Sequence, residues 1–281
     1  MMYPQQFLHT DQTTQPMATP ACWYSTMPNY SAACAASMSL VEAASMAHNL
    51  LEQGVHCCNE HQFDQALEHL RAALQTYTQA EDEIGMGRSL NGLSAVYLEM
   101  QQYEQAIACS QAAVAVLENT TVLEAYALAA YQLGVSHLEL HHFSQAEDCL
   151  NQALSLYMTL ADSINEDHVV LHLGQLYAQN QEYMFALAAY ESVIDSLLER
   201  PLHESTPELL ADVLDLIMQL GEQSNQGDIV AMPYEMVLEQ YVTAATPEAI
   251  APFFQQLAKF YEARECYGLA ATCYAQTPSN E

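Results

Sequence analysis

The sequence predicts an all-α protein, a right-handed α-solenoid of antiparallel helix-turn-helix units, and three observations predict it. Alanines recur forty residues apart at Ala66, Ala106, Ala146 and Ala186, each three positions after an aromatic ring: Phe63, Tyr103, Phe143 or Tyr183. Twelve residues before each alanine stands a small residue, Gly54, Ser94, Gly134 or Gly174. Glycine (9) and proline (10) are few among 281 residues, as long helices require. A fixed period of this size marks a stack of repeats.

The elements follow in order. Residues 1–38 hold no Lys or Arg, one acid and prolines at 4, 16, 20 and 28, and read as a disordered or loosely docked tail. Its aromatic cluster, Trp23, Tyr24, Met27 and Tyr30, is either inert or folds onto the array or a partner. Residues 39–281 form the solenoid, with repeats at about 43–80, 83–120, 123–160 and 163–200, a degenerate one at 206–243 and a last at 247–277. Within each repeat a first helix carries the small residue. The second helix opens at the ring, as in QFDQALEHLRAAL (62–74), QYEQAIACSQAAV (102–114), HFSQAEDCLNQAL (142–154) and EYMFALAAYESVI (182–194). Small residues at matched positions let the two backbones approach, and the ring covers the end of the pair. Capping boxes are expected where Ser39, Thr121 and Ser163 precede Glu42, Glu124 and Glu166 by three residues. Thr206-Pro207-Glu208 and Thr246-Pro247-Glu248 read as helix starts with proline in the first turn. In the degenerate repeat Ala231 stands in the key position without a ring before it. In the last, Leu257, Ala258, Tyr261, Tyr267, Ala270 and Tyr274 restore the pattern.

Two repeats carry the motif in full: Leu133, Gly134, His137, Phe143, Ala146, Leu150 and Ala153, then Leu173, Gly174, Tyr177, Tyr183, Ala186, Tyr190 and Val193. In these offsets the chain resembles the tetratricopeptide repeat family over residues 43–277. The commonest unit of that family is about 34 residues. The longer unit here is similar to those of kinesin light chains and of adaptors built from Leu-Gly-Asn repeats. The resemblance implies that the first helix of each pair lines a concave groove. Counting from the Leu-Gly pair, the groove residues are His48, Leu51, Val55 and Asn59; Arg88, Asn91, Ala95, Leu98 and Glu99; Leu128, Tyr131, Val135, Leu138 and Glu139; and His168, Leu171, Gln175 and Gln179. On this reading a partner helix or extended peptide lays apolar side chains on Tyr131, Val135, Leu138 and Leu171, while Asn91, Gln175 and Gln179 bond its backbone. Packing of Tyr131 and its neighbours against the next repeat or the tail is the plainer alternative. Arg88 is the one base in this set, so the cluster of cations with which chaperone-binding members hold a terminal carboxylate is missing.

Charge narrows the partners. Thirty-five acids face five Lys and Arg, a formal net charge of −30. Nucleic acid and anionic membranes are therefore not expected to bind, since both demand clustered bases. A protein partner with basic flanks fits the field, and solvation of the outer helix faces accounts for the same acids without any partner. No apolar run reaches the length of a membrane helix, so no membrane insertion is expected. The N-terminus has neither a signal peptide's basic start nor a transit peptide's arginines, and a cytoplasmic location is expected.

Catalytic chemistry is not expected. The chain has no GxSxG, phosphate loop or HExxH, and no cofactor is called for. His137 with His141, and His168 with His172, stand four apart on one helix face and could chelate zinc. His137, however, occupies the position of Tyr97 and Tyr177, which argues for packing, and no metal is assigned. Cys109, Cys149 and Cys273 share one repeat position and read as small packed residues, reduced in the cytosol. The reading is a non-enzymatic adaptor or scaffold that binds a partner segment in its groove. Its alternatives are a peptide-responsive sensor and a holdase for a secreted or assembling subunit.

Overall fold

The computed structural model describes residues 40–199 and 206–224, with 254–255, 257–259, 261–262 and 267–275. The tail at 1–38, Ser39 and Ala231 lie outside the described residues. Four hairpins come first: α1 (Leu40–Asn59) with α2 (Phe63–Gln79), α3 (Glu83–Glu99) with α4 (Tyr103–Leu117), α5 (Leu123–Glu139) with α6 (Phe143–Leu160), and α7 (Ser163–Gln179) with α8 (Tyr183–Glu199). Then come α9 (Thr206–Ser224) and α10 (Tyr267–Ala275). No strand occurs among the described residues.

Each hairpin turns by the same hydrogen-bonded device. At the end of α1, His61 N–H donates to Cys58 O at 2.9 Å and Gln62 N–H to Cys57 O at 2.8 Å. That pair of bonds is a Schellman cap, and it places His61 in the left-handed region at φ 57°. Gln101, His141 and Gln181 repeat it at φ 57°, 57° and 64°. None of the four is glycine, so each turn carries the steric cost of a Cβ in that conformation. The same cap closes α2 at Glu81 and α6 at Ala161, with φ 56° and 52°. Between α4 and α5 the connection differs, because α4 ends early at Leu117 and Thr120 Oγ1 donates to Leu117 O at 2.8 Å.

Two expected capping boxes give way to other residues. The N-cap of α7 is Asp162, whose carboxylate accepts from Asn165 N–H at 3.2 Å, so Ser163 is already the first helical residue. The N-cap of α5 is Val122, which has no side chain to offer, and Thr121 lies before it. Asp82 caps α3 as Asp162 caps α7, accepting from Gly85 N–H at 3.0 Å. A carboxylate placed there also complements the positive end of the helix dipole.

Packing inside a hairpin is set by pairs sixteen residues apart. A Cβ on Gly54 would sit 2.5 Å from Leu70 Cγ, one on Gly134 2.8 Å from Leu150 Cγ, and one on Gly174 would overlap Tyr190 Cε1 at the ring edge. The second hairpin has serine at both places: Ser94 and Ser110 hydroxyls meet at 2.6 Å, fully buried. A glycine facing a large side chain and two small hydrogen-bonded side chains fill the same space. The key alanines Ala66, Ala106, Ala146 and Ala186 are all at 0% exposure, where any longer side chain would push the helices apart.

Between hairpins the two helices behave differently. First helices touch one another, α1 with α3, α3 with α5 and α5 with α7, while second helices pack mainly on first helices. First helices thus form an inner layer, closer spaced than the outer one, and the array curves toward them. Further along, Leu210, Val213, Leu214 and Ile217 of α9 share a core with Tyr190, Ile194, Leu257, Ala258, Tyr261 and Ala270. Tyr267 is 65% exposed.

Candidate functional site

The inner helices α3 and α5 pack between neighbours on both sides, which leaves each little exposed surface. On α5, besides Leu123 and Tyr126 near its start, the residues that keep surface are Glu124, Leu128, Tyr131 and Glu139, one line at helical spacing, with Val135 buried between them. The equivalent line on α3 is Ile84, Arg88, Ala95 and Glu99; on α7 it is Ile164, His168, Gln175 and Gln179. On α1, which has no hairpin before it among the described residues, His48, Val55 and Asn59 are exposed and Leu51 is half-buried.

The predicted groove residues fall on these lines, with differences that packing explains. Leu128 is exposed at 37%, Arg88 and Glu139 are exposed, and Leu98, Glu99, His168 and Gln175 are half-buried. Leu138 at 0% and Leu171 at 7% lie in the core and present no surface here. Asn91 is also buried, and its amide is committed: Nδ2 donates to Ala125 O at 2.8 Å, tying α3 to α5. Its Oδ1 and the Gln132 Oε1 are buried without a hydrogen-bond partner. Inner helices approach each other closely enough that positions 91, 138 and 171 meet a neighbouring helix rather than open space.

Tyr131 faces the next repeat as well as the surface. Its ring meets His172 edge-on at 5.3 Å, and His172 Nδ1, which donates to His168 O at 2.8 Å, is 3.3 Å from the Tyr131 hydroxyl. Since the carbonyl can only accept, Nδ1 carries the proton and Nε2 does not. Burial lowers the pKa of His172, and burial followed by His142 lowers that of His137. His168 is also lowered, by burial against the opposing pull of Asp167. All three imidazoles are held neutral.

The i,i+4 histidines make other contacts. His137 Nδ1 lies 3.3 Å from His142 Nδ1, whereas His141 donates to Gln179 Oε1 at 3.1 Å. Among the described residues no three His, Cys, Asp or Glu side chains are placed to hold a metal ion. Cys109 is buried, with its thiol pushed up to about 12 by desolvation, and burial also raises Cys149. Neither is a nucleophile at neutral pH. No described helix is long and apolar enough to cross a membrane.

These features define a class: an α-solenoid of stacked hairpins whose inner helices line one face. A model of the tetratricopeptide repeat family matches residues 43–119 and again 85–159, across α1–α6. Residues 43–159 of the chain therefore carry tetratricopeptide repeats. No curated protein matches it. Solved structures share the fold at low identity. A putative kinesin light chain from Podospora anserina with nearly identical repeats is 15% identical at TM-score 0.59, covering 73% of this chain and 98% of its own. The apo form of RapI is 12% identical at TM-score 0.57, covering 83% and 82%. A Rap protein complexed with competence and sporulation factor is 16% identical at TM-score 0.54, covering 83% of this chain and 63% of its own.

Proposed function

We propose that this protein is a non-catalytic adaptor that holds a helix or extended segment of a partner across its inner layer. The exposed stripe on otherwise buried inner helices carries the reading. Positions inside the array are filled by Ala, Gly, Leu and Ser for reasons of packing, yet Leu128 stays open and Arg88, Glu99 and Glu139 flank it. An apolar centre with polar ends suits an amphipathic segment. Four rungs spaced about 9–10 Å apart span roughly 30 Å, the length of about twenty helical residues. The surplus of acids favours a partner with basic flanks.

The likeness to a Rap protein complexed with competence and sporulation factor is one of fold, and it keeps the peptide-responsive sensor as the second reading. A pull-down from cell extract with the full chain and with Leu128→Ser/Glu139→Lys separates the outcomes. Loss of the captured protein in the variant supports the adaptor. Equal capture by both proteins contradicts it. Compaction of the chain in small-angle scattering on adding a peptide fraction would support the sensor instead.

A further inference from the structure

A second site stands on the outer edge of the fourth hairpin, where this repeat breaks the pattern of the other three. The two residues after the ring are Asp64-Gln65, Glu104-Gln105 and Ser144-Gln145 in the first three hairpins, and Met184-Phe185 in the fourth. Both are open, at 66% and 64% exposure. A single exposed apolar residue is ordinary, but two adjoining ones at positions otherwise held polar are not.

Carboxylates depart from the pattern in the opposite sense beside them. Glu147 occupies the position filled by Leu67, Ile107 and Leu187, of which the two leucines are buried. Glu182 replaces Gln62, Gln102 and His142. Tyr177 links the two kinds of change: its hydroxyl donates to Glu147 Oε1 at 3.0 Å, and its ring lies 5.7 Å from that of Phe185. Burial, the bond to Glu147 and the nearby charge of Glu182 together raise the phenol's pKa, so it stays a donor. Asn180 Nδ2 holds Glu182 Oε1 at 2.7 Å.

We infer that Glu147, Tyr177, Glu182, Met184 and Phe185 form a docking site for a basic, apolar segment of another protein. An arginine or lysine laid there rests its methylene stem on Met184 and the face of Phe185 and turns its charge to Glu147 and Glu182. An adjacent leucine-sized side chain covers the rest of the apolar pair. Glu147, Met184 and Phe185 lie on second helices, apart from Arg88 and Leu128 of the inner stripe, while Tyr177 and Glu182 stand at the hairpin end. It gives the scaffold a second contact, and two weak contacts on one partner, or on two, reinforce each other through effective concentration.

The test uses the full chain and a short fluorescein-labelled peptide alternating arginine and leucine, read by anisotropy. Met184→Ser/Phe185→Gln restores the residues of the third hairpin without altering net charge. The site predicts an unchanged thermal melt and about tenfold weaker binding. Glu147→Leu, the residue of the first and fourth hairpins, is expected to weaken the same peptide. Equal binding by Met184→Ser/Phe185→Gln, or equal binding of a peptide with serine for leucine, would reduce the effect to the protein's overall field and overturn the site. Tyr131→Ser on the inner stripe is expected to leave the peptide bound. Loss there, with none at 184 and 185, would place the peptide on the inner face and overturn the site while sparing the adaptor reading.

Discussion

The inner and outer helices have similar lengths and compositions, yet α5 buries eleven of its seventeen residues and α6 four of its eighteen. A first helix packs against its own partner and against first helices on both sides, whereas a second helix packs mainly against first helices. The difference teaches where freedom remains. On the inner helices α3 and α5, in the middle of the array, most side chains answer to packing, so the few that stay exposed mark the stripe available for recognition. On an outer helix exposure is ordinary, and only a departure from the repeat pattern, such as Met184-Phe185, is informative.

That contrast can be broken by mutation. Leu138→Ala in the inner layer removes a side chain at 0% exposure and should cost about 3–4 kcal/mol in urea unfolding. Met158→Ala in the outer layer, at 63% exposure, should stay within about 0.5 kcal/mol. Comparable losses would mean that the two layers are packed alike.

The hairpin gap can be probed next. Ser94→Ala should cost about 1–2 kcal/mol, because it leaves the buried Ser110 hydroxyl short of its partner at 2.6 Å. Ser94→Gly/Ser110→Leu copies the pairs of the first and third hairpins and should cost less than the sum of its single changes. Strict additivity would show that the two positions do not share one space.

A smaller effect concerns the seam between α5 and α7. His172 has a folded pKa below its unfolded value, so between the two the unfolded chain binds more protons. Its contribution is therefore present above about pH 6.5 and is lost as pH falls through the folded pKa. His172→Gln, the residue at the matching position 132, should flatten the acid limb of the stability profile measured from pH 7 down to 5. An unaltered slope would remove the imidazole from that account. Smallest of all, Ala161→Gly relieves a left-handed Cβ at φ 52° and should stabilise by about 0.5–1 kcal/mol.

Much of this contrast was legible in the sequence, because the forty-residue alanine ladder places both helices of every hairpin and the line of inner residues at 88, 128 and 168. What it did not reveal has physical causes. The left-handed turn residues His61, Gln101, His141 and Gln181 are not glycine, so no composition signal marks them. The caps fall on Asp82 and Asp162, one residue before a serine in the latter case, and a search for hydroxyl-led boxes passes over them. Asn91, Leu138 and Leu171 sit on the counted stripe, but the close approach of neighbouring inner helices encloses them, and curvature is not written in one repeat. Met184 and Phe185 were overlooked for a simpler reason: an apolar pair after the ring looks like a longer core stripe until the exposures are known.

The claim at the centre is that the inner stripe receives the adaptor's partner segment. A photo-crosslinking amino acid placed at Leu128 and, separately, at Gln65 on the outer layer of the first hairpin, far from Met184 and Phe185, tests it most directly, with mass spectrometry of the captured protein in cell extract. The account predicts a discrete crosslinked partner from position 128 and background alone from position 65. A discrete partner from 65 with none from 128 would contradict it.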